Sequence, residues 1–130
     1  MCKLSAQDFT VAMRWVRQIC LPTWEVELEA AGNNGAIRSY LRALRGLLRR
    51  ARWLGRLHKY APALAYLITI AEAAEIALWL AEHVDQTDMP PELQQQWRAA
   101  AKPLRLIAEL LRPSAQEMLR SIGWEEARHA

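Results

Sequence analysis

The chain has 130 residues, of which 52% are hydrophobic and 24% are charged. This composition is that of an ordinary globular protein, and it excludes a disordered tail, a collagen-like fibre and a low-complexity spacer. The formal net charge is only +3, so the placement of the charges is more informative than their sum. At this length we predict a single domain over residues 1–130, folded as a small all-α bundle of four to five helices.

The first predicted helix begins after Ser5. Ser5 and Asp8 have the spacing of a capping box, and apolar residues recur at helical spacing from there to Cys20. Pro22 is expected to break this helix, because proline removes a backbone donor and its ring clashes with the preceding turn. Thr23 would then cap a short second helix.

The middle of the chain is divided by three predicted breaks. Residues 32–35 read Gly-Asn-Asn-Gly and predict a loop, since both residue types tolerate left-handed backbone angles. A long helix is predicted over 36–59, with an end or a sharp kink at 61–62. A second long helix follows as far as residue 84, and the next break is predicted at 88–91.

The C-terminal part is predicted as one main helix and one short helix. The main helix is predicted to start near Pro91, to be kinked at Pro103 and to end near Arg112, and Pro113 marks a break. Ser114 and Glu117 then form a second capping box for the short helix. The tail 124–130 is expected to be loosely held. Sustained period-two alternation is missing throughout, so no strand is predicted.

Charge is segregated along the sequence. Residues 36–60 contain eight Lys or Arg and no acid, whereas residues 61–95 contain six Asp or Glu and no Lys or Arg. A helix with charges of one sign lacks the usual stabilising pairs between neighbouring turns. We therefore expect an interaction outside that helix to offset the repulsion.

The basic residues of the long helix follow a spacing of 4, 3, 4, 3, 4, 3. This spacing places them in one ribbon along about 31 Å of helix axis. The members of the ribbon are Arg38, Arg42, Arg45, Arg49, Arg52, Arg56 and Lys59. A shorter basic row is formed by Arg98, Lys102 and Arg105.

Three interpretations of the ribbon are open. It can be the solvated outer face of a bundle helix. It can bind phosphates, because each guanidinium offers a planar fork of donors. It can also pair with an acidic surface, whether on a partner protein, on anionic lipid or on the chain's own acids. Internal pairing in a helical hairpin would bring Arg52 or Arg56 near Glu72.

No catalytic, metal-binding or cofactor-binding residue is predicted. His58, His83 and His129 are isolated, and neither cysteine has a Cys-x-x-Cys partner. Glu72 and Glu75 lie one turn apart and are interpreted as structural acids. No nucleophile motif or glycine-rich phosphate loop is present. The sequence therefore predicts a protein that is not an enzyme.

Two tryptophans stand out among the six in the chain. Any of the six can be a core anchor of the bundle. Trp53 lies beside Arg52 and off the apolar stripe, where an exposed indole could stack on a base, enter a membrane interface or anchor a protein contact. Trp124 lies in the acidic tail and is interpreted as a docking anchor.

The apolar segment over residues 60–81 is long enough to span a bilayer, but Glu72 and Glu75 within it favour a buried core helix.

These features lead to one functional prediction and two alternatives. The chain resembles the small helical subunits of multi-subunit nucleic-acid effector complexes in size, charge and lack of motif, a similarity of class that involves no particular residue. We predict an accessory subunit that binds nucleic-acid backbone without sequence preference, within a larger assembly, and a homo-oligomer is compatible with this prediction. The alternatives are an adaptor that docks an acidic partner and, less favoured, a peripheral membrane protein.

Cys2 and Cys20 are too far apart along a helix to pair, which predicts free thiols and a cytoplasmic location.

Overall fold

The structure is a computed structural model that describes residues 5–30 and 32–124, and these residues form helices and turns with no strand. A π-helical turn, Val16–Cys20, joins the first two α-helices without a break, so the described chain forms four helical segments. This is the all-α bundle that the sequence predicts. The α-helices are α1 (Ala6–Trp15), α2 (Leu21–Ala30), α3 (Gly35–Arg56), α4 (Tyr60–Glu82) and α5 (Pro91–Ser121).

Helix α4 lies at the centre of the bundle and packs against α3, α5 and α1. Its buried side chains include Leu64, Leu67 and Ile70, which are at most 2% exposed. Within the described residues α4 is also the one helix that is long and apolar enough to cross a membrane, with a mean hydropathy of 1.6. Burial of these side chains against three neighbouring helices is the main apolar contribution to the fold.

The predicted break at Pro22 is wrong. In the π-helical turn before it, the N–H of Leu21 donates to the carbonyl of Val16, five residues earlier. Such a turn is wider than an α-helical one and is a known place for a helix to bend without ending. Thr23 does not cap a new helix, because its hydroxyl donates to a carbonyl of the preceding turn at 2.9 Å. The chain stays helical because it buries Val16 before the proline and Trp24 after it.

The connection between the two long helices lies earlier than the predicted position at 61–62. Helix α3 ends at Arg56, and Lys59 directly precedes α4. His58 makes the turn with a positive φ of 58°. Pro62 falls in the first turn of α4, where backbone N–H groups have no acceptor within the helix. A proline at this position therefore loses no hydrogen bond. The two helices therefore form a hairpin, and the proline starts α4 instead of breaking a helix.

Helix α5 is longer than predicted. It begins at Pro91, as expected, but continues through Pro103 and Pro113 to its end at Ser121. The predicted capping box at residue 114 is wrong, since the Ser114 hydroxyl donates to the carbonyl of Leu111 at 3.0 Å inside the helix. Buried residues on both sides of Pro113 keep the helix against the core, which offsets the lost backbone hydrogen bond. Residues 125–130 of the predicted tail lie outside the described residues.

Asn34 joins the start of α3 to α5. Its Oδ1 accepts hydrogen bonds from the N–H groups of Ala36 at 2.8 Å and Ile37 at 3.2 Å, and its Nδ2 donates to the carbonyl of Gln96 at 2.8 Å. We expect Asn34→Ala to lower the free energy of unfolding by about 1–2 kcal/mol in urea titrations, because the helix cap and the contact between helices are lost together. Asn33→Ala is the control and should change it by less than about 0.5 kcal/mol, since Asn33 makes an exposed hydrogen bond only. Equal unfolding midpoints for the two variants would contradict this role of Asn34.

Candidate nucleic-acid interface

The predicted ribbon lies on the outer surface of the bundle. Its seven side chains are all exposed, and Ile37, Leu44 and Leu48 on the opposite side of α3 are buried. Because α3 ends at Arg56, Lys59 belongs to the following turn and not to the helix. We call the six arginines on the helix the α3 ribbon. They are Arg38, Arg42, Arg45, Arg49, Arg52 and Arg56.

The described ion pairs all join α5 to the acids at the C-terminal part of α4 and just beyond it. Arg105 pairs with Glu82 at 3.1 Å and Arg112 pairs with Glu75 at 2.6 Å. The hydrogen bond from Arg112 to Glu75, together with the carboxylate charge, raises the pKa of the Arg112 guanidinium. Both partners of this pair are about half exposed, so solvent screens the interaction.

The α3 ribbon makes no ion pair with any carboxylate whose side chain the structure describes, a set that leaves out Glu27. In particular, Arg52 and Arg56 do not pair with Glu72, although α3 and α4 form the hairpin in which that contact was expected. The charge of the ribbon is therefore left for solvent or for a binding partner.

The shorter basic row has a different environment. Arg98 pairs with Asp85, and Arg105 pairs with Glu82. Lys102 lies between them on α5 and is exposed. Two of the three predicted binding residues in this row thus already have an acidic partner within the fold, so the row offers less uncompensated charge than the α3 ribbon.

A groove of about 790 Å³ opens between α1 and the C-terminal half of α3. Four guanidinium groups line it, from Arg14 on α1, Arg17 in the π-helical turn that continues α1, and Arg52 and Arg56 on α3, and its described lining includes no acid. We call Arg14 and Arg17 the α1 arginines. Like charges from two helices raise the local positive potential above that of the ribbon alone. We call this the α1–α3 groove. Its lining is Phe9, Thr10, Met13, Arg14, Arg17, Gln18, Arg52, Gly55 and Arg56.

The apolar part of the groove lining is built by a close approach of α1 to α3. The ring of Phe9 lies directly over Gly55, where an added Cβ would come within 2.5 Å of the ring. The same ring contacts Tyr60, with ring centroids 5.8 Å apart. Met13 completes this surface. A side chain at position 55 would therefore require the Phe9 ring to shift.

The other end of the ribbon faces charges of mixed sign. A smaller cleft of about 250 Å³ is lined by Arg38 and Arg45 together with Glu25 and Glu29 of α2. The N-terminal half of the ribbon therefore lies beside acids, whereas its C-terminal half lies beside the two arginines of α1. Anion binding is favoured at the C-terminal half.

The sequence analysis missed Arg14 and Arg17 as binding residues. Their spacing of three residues, on the side of α1 away from buried Ala12 and Val16, indicates an exposed face. That spacing does not show which helix lies alongside. Only the packing of α1 beside the second half of α3 brings these two arginines to the ribbon.

The two singled-out tryptophans differ in their environments. Trp53 is 59% exposed, as its position off the apolar stripe of α3 predicts. It follows Arg52 and lies one helical turn from Arg49 and Arg56, so its indole flanks the ribbon. Trp124 is half-buried and packs against the hydrophobic core. This environment is that of a core anchor, and the role of Trp124 in docking stays a prediction.

The described histidines and cysteine make local or core contacts. His58 Nδ1 lies 2.7 Å from the hydroxyl of Tyr60, and His83 Nδ1 lies 2.7 Å from the carbonyl of Trp79. Cys20 is a free thiol in the core, and burial raises its pKa, which keeps the sulfur protonated and unreactive. Cys2 and His129 lie outside the described residues.

Clusters of three His, Cys, Asp or Glu side chains suited to a metal ion are not found among residues 5–30 and 32–124. No protein-family model, no curated protein and no solved structure matches the chain, so the functional argument depends on the α3 ribbon and the groove beside it.

Proposed function

We propose that the protein is a non-catalytic subunit that binds the phosphate backbone of nucleic acid through the α3 ribbon. The observation that carries the proposal is a straight row of six exposed arginines that form no ion pair with any described carboxylate. Glu75 and Glu82 of α4 do not compensate the row, because they pair with arginines of α5 instead.

The length and regular spacing of this row match the repeated phosphates of a nucleic-acid strand. A guanidinium donates two parallel hydrogen bonds to a phosphate, and six of them along about 27 Å of helix axis can contact several phosphates of one strand. Contacts to the backbone position a protein on nucleic acid without reading bases. The lack of any base-reading motif in the sequence agrees with binding that has no sequence preference.

Large apolar side chains on the outer surface support a place in a larger assembly. Ile76 and Trp79 on α4 are 59% and 55% exposed, and Leu110 on α5 is 57% exposed. Side chains of this kind are enriched where one protein contacts another. We propose that these helices face neighbouring subunits while α3 faces nucleic acid.

The test compares two double variants with the same change in charge. Arg42→Gln with Arg49→Gln removes two ribbon charges outside the groove, whereas Arg50→Gln with Arg120→Gln removes two exposed charges elsewhere. Binding to a labelled single strand is measured by fluorescence anisotropy at several salt concentrations. We expect the ribbon variant to bind more weakly and to flatten the log–log salt slope by about 1.4, at roughly 0.7 per phosphate contact.

The control variant should retain nearly the wild-type slope. Equal losses in the two variants would show that overall charge matters and the ribbon does not, which contradicts the proposal. If the wild-type protein does not bind nucleic acid at low salt but binds an acidic protein or phosphatidylserine vesicles, the ribbon is a binding surface for one of those partners instead.

A further inference from the structure

We infer that the α1–α3 groove makes the interface prefer single-stranded over double-stranded nucleic acid. The inference depends on the proposed function and adds to it a second set of residues, on α1. It assigns Arg14 and Arg17 to the phosphates of a single strand that enters the groove, and Phe9 and Met13 to its unpaired bases or sugars.

The first argument is the continuity of charge. Arg52 and Arg56 belong both to the α3 ribbon and to the lining of the groove. A strand that follows the ribbon toward its C-terminal end therefore arrives between these two arginines and the two on α1. Four guanidinium groups from two helices can hold successive phosphates from two sides, whereas a ribbon on one convex helix contacts them from one side only.

The second argument is the shape of the groove. A volume of about 790 Å³ lies within the range of roughly 300–1,000 Å³ that is typical of small-molecule sites, so a nucleotide of a flexible strand fits. A duplex is a stiff, convex rod whose bases are stacked inside. Its phosphates can contact the ribbon, but it cannot insert a nucleotide between α1 and α3 without losing base pairing.

The third argument is the apolar surface at this end of the ribbon. The Phe9 ring and Met13 line the groove beside its arginines. Trp53 lies on the other flank of the ribbon and is 59% exposed. Many proteins bind unpaired bases without sequence preference by stacking them on aromatic side chains beside a row of basic residues. A duplex would leave these surfaces unused, because its base faces are covered.

The experiment measures anisotropy with a labelled oligothymidylate, a duplex of equal length and a strand of equal length that lacks bases. We expect wild-type protein to bind the oligothymidylate most tightly. Arg14→Gln with Arg17→Gln should weaken binding to the oligothymidylate about tenfold or more near 0.1 M salt, with little change for the duplex. Trp53→Ala should weaken binding to the oligothymidylate by about tenfold and leave binding to the base-free strand unchanged.

The Arg50 and Arg120 double variant is the charge-matched control, and circular dichroism checks that each variant remains helical. If the Arg14 and Arg17 variant binds like this control while the ribbon variant is weakened, the groove plays no part and only the proposed function stands. Equal weakening for single strand and duplex would overturn the strand preference. If the wild-type protein binds none of the three probes, both the proposed function and this inference fail.

Discussion

Ile70→Ala is expected to lower the free energy of unfolding by about 2–5 kcal/mol. Ile70 is 2% exposed and lies in the part of α4 that packs into the core. The substitution removes apolar contacts on α4 and leaves a cavity that neighbouring side chains fill only in part, which is why the effect exceeds the transfer free energy of the lost carbons. The measurement is the midpoint and slope of urea unfolding followed by circular dichroism.

The control is Ile76→Ala on the same helix. Ile76 is 59% exposed, so the same substitution there should change the free energy of unfolding by no more than about 0.5 kcal/mol. Similar losses at the two positions would contradict the orientation of α4 in the bundle. Because the residue type and the helix are the same, the difference between the two variants reports burial alone.

Gly55→Ala and Gly46→Ala are expected to change stability in opposite directions. Both glycines lie inside α3, where alanine normally stabilises a helix by about 0.5–1 kcal/mol. An added Cβ at Gly46 meets no atom within 4 Å, so Gly46→Ala should show this gain. At Gly55 the Cβ would lie 2.5 Å from the Cζ atom of Phe9, and the ring must be displaced. We expect Gly55→Ala to lower the free energy of unfolding by about 1–2 kcal/mol.

The same urea titration compares the two glycine variants with the wild-type protein. A stabilised Gly55→Ala variant would show that Phe9 moves aside freely, and the ring would then not be a fixed part of the groove lining. A destabilised variant means that α1 is held against α3 by this contact. That contact contributes to the position of Arg14 on α1 and of Arg17 in the following π-helical turn relative to the ribbon, together with the packing of α1 against α4 and α5.

Features that depend on neighbouring residues were predictable from the sequence. Ser5 and Asp8 form the expected capping box, with the N–H of Ser5 donating to Asp8 at 2.9 Å. The predicted loop is found at residues 32–34, one residue shorter than expected, because Gly35 is the first residue of α3 and Asn34 is its N-cap. In each case the hydrogen bonds that set the start of the helix lie within a few residues, so the local sequence contains all that is needed.

The helix ends predicted at Pro22 and Pro113 are wrong, although proline normally breaks a helix. A proline removes one backbone hydrogen bond and its ring clashes with the preceding turn. Together these effects destabilise the interior of a helix by about 3 kcal/mol. Here the residues on both sides of each proline are buried against other helices, and ending the helix would expose them. The sequence does not show this compensation, because it depends on helices distant along the chain.

The α3 ribbon could be predicted from the sequence, whereas the groove beside it could not. The spacing of the arginines places them on one face of any helix they form, so the row itself follows from the sequence and from helix geometry. Which charges the row meets depends on packing, which sets the acids of α4 against α5 and the arginines of α1 beside Arg52 and Arg56. Helix periodicity is a short-range property of the backbone, whereas the partner of each exposed charge is set by how whole helices bury their apolar faces.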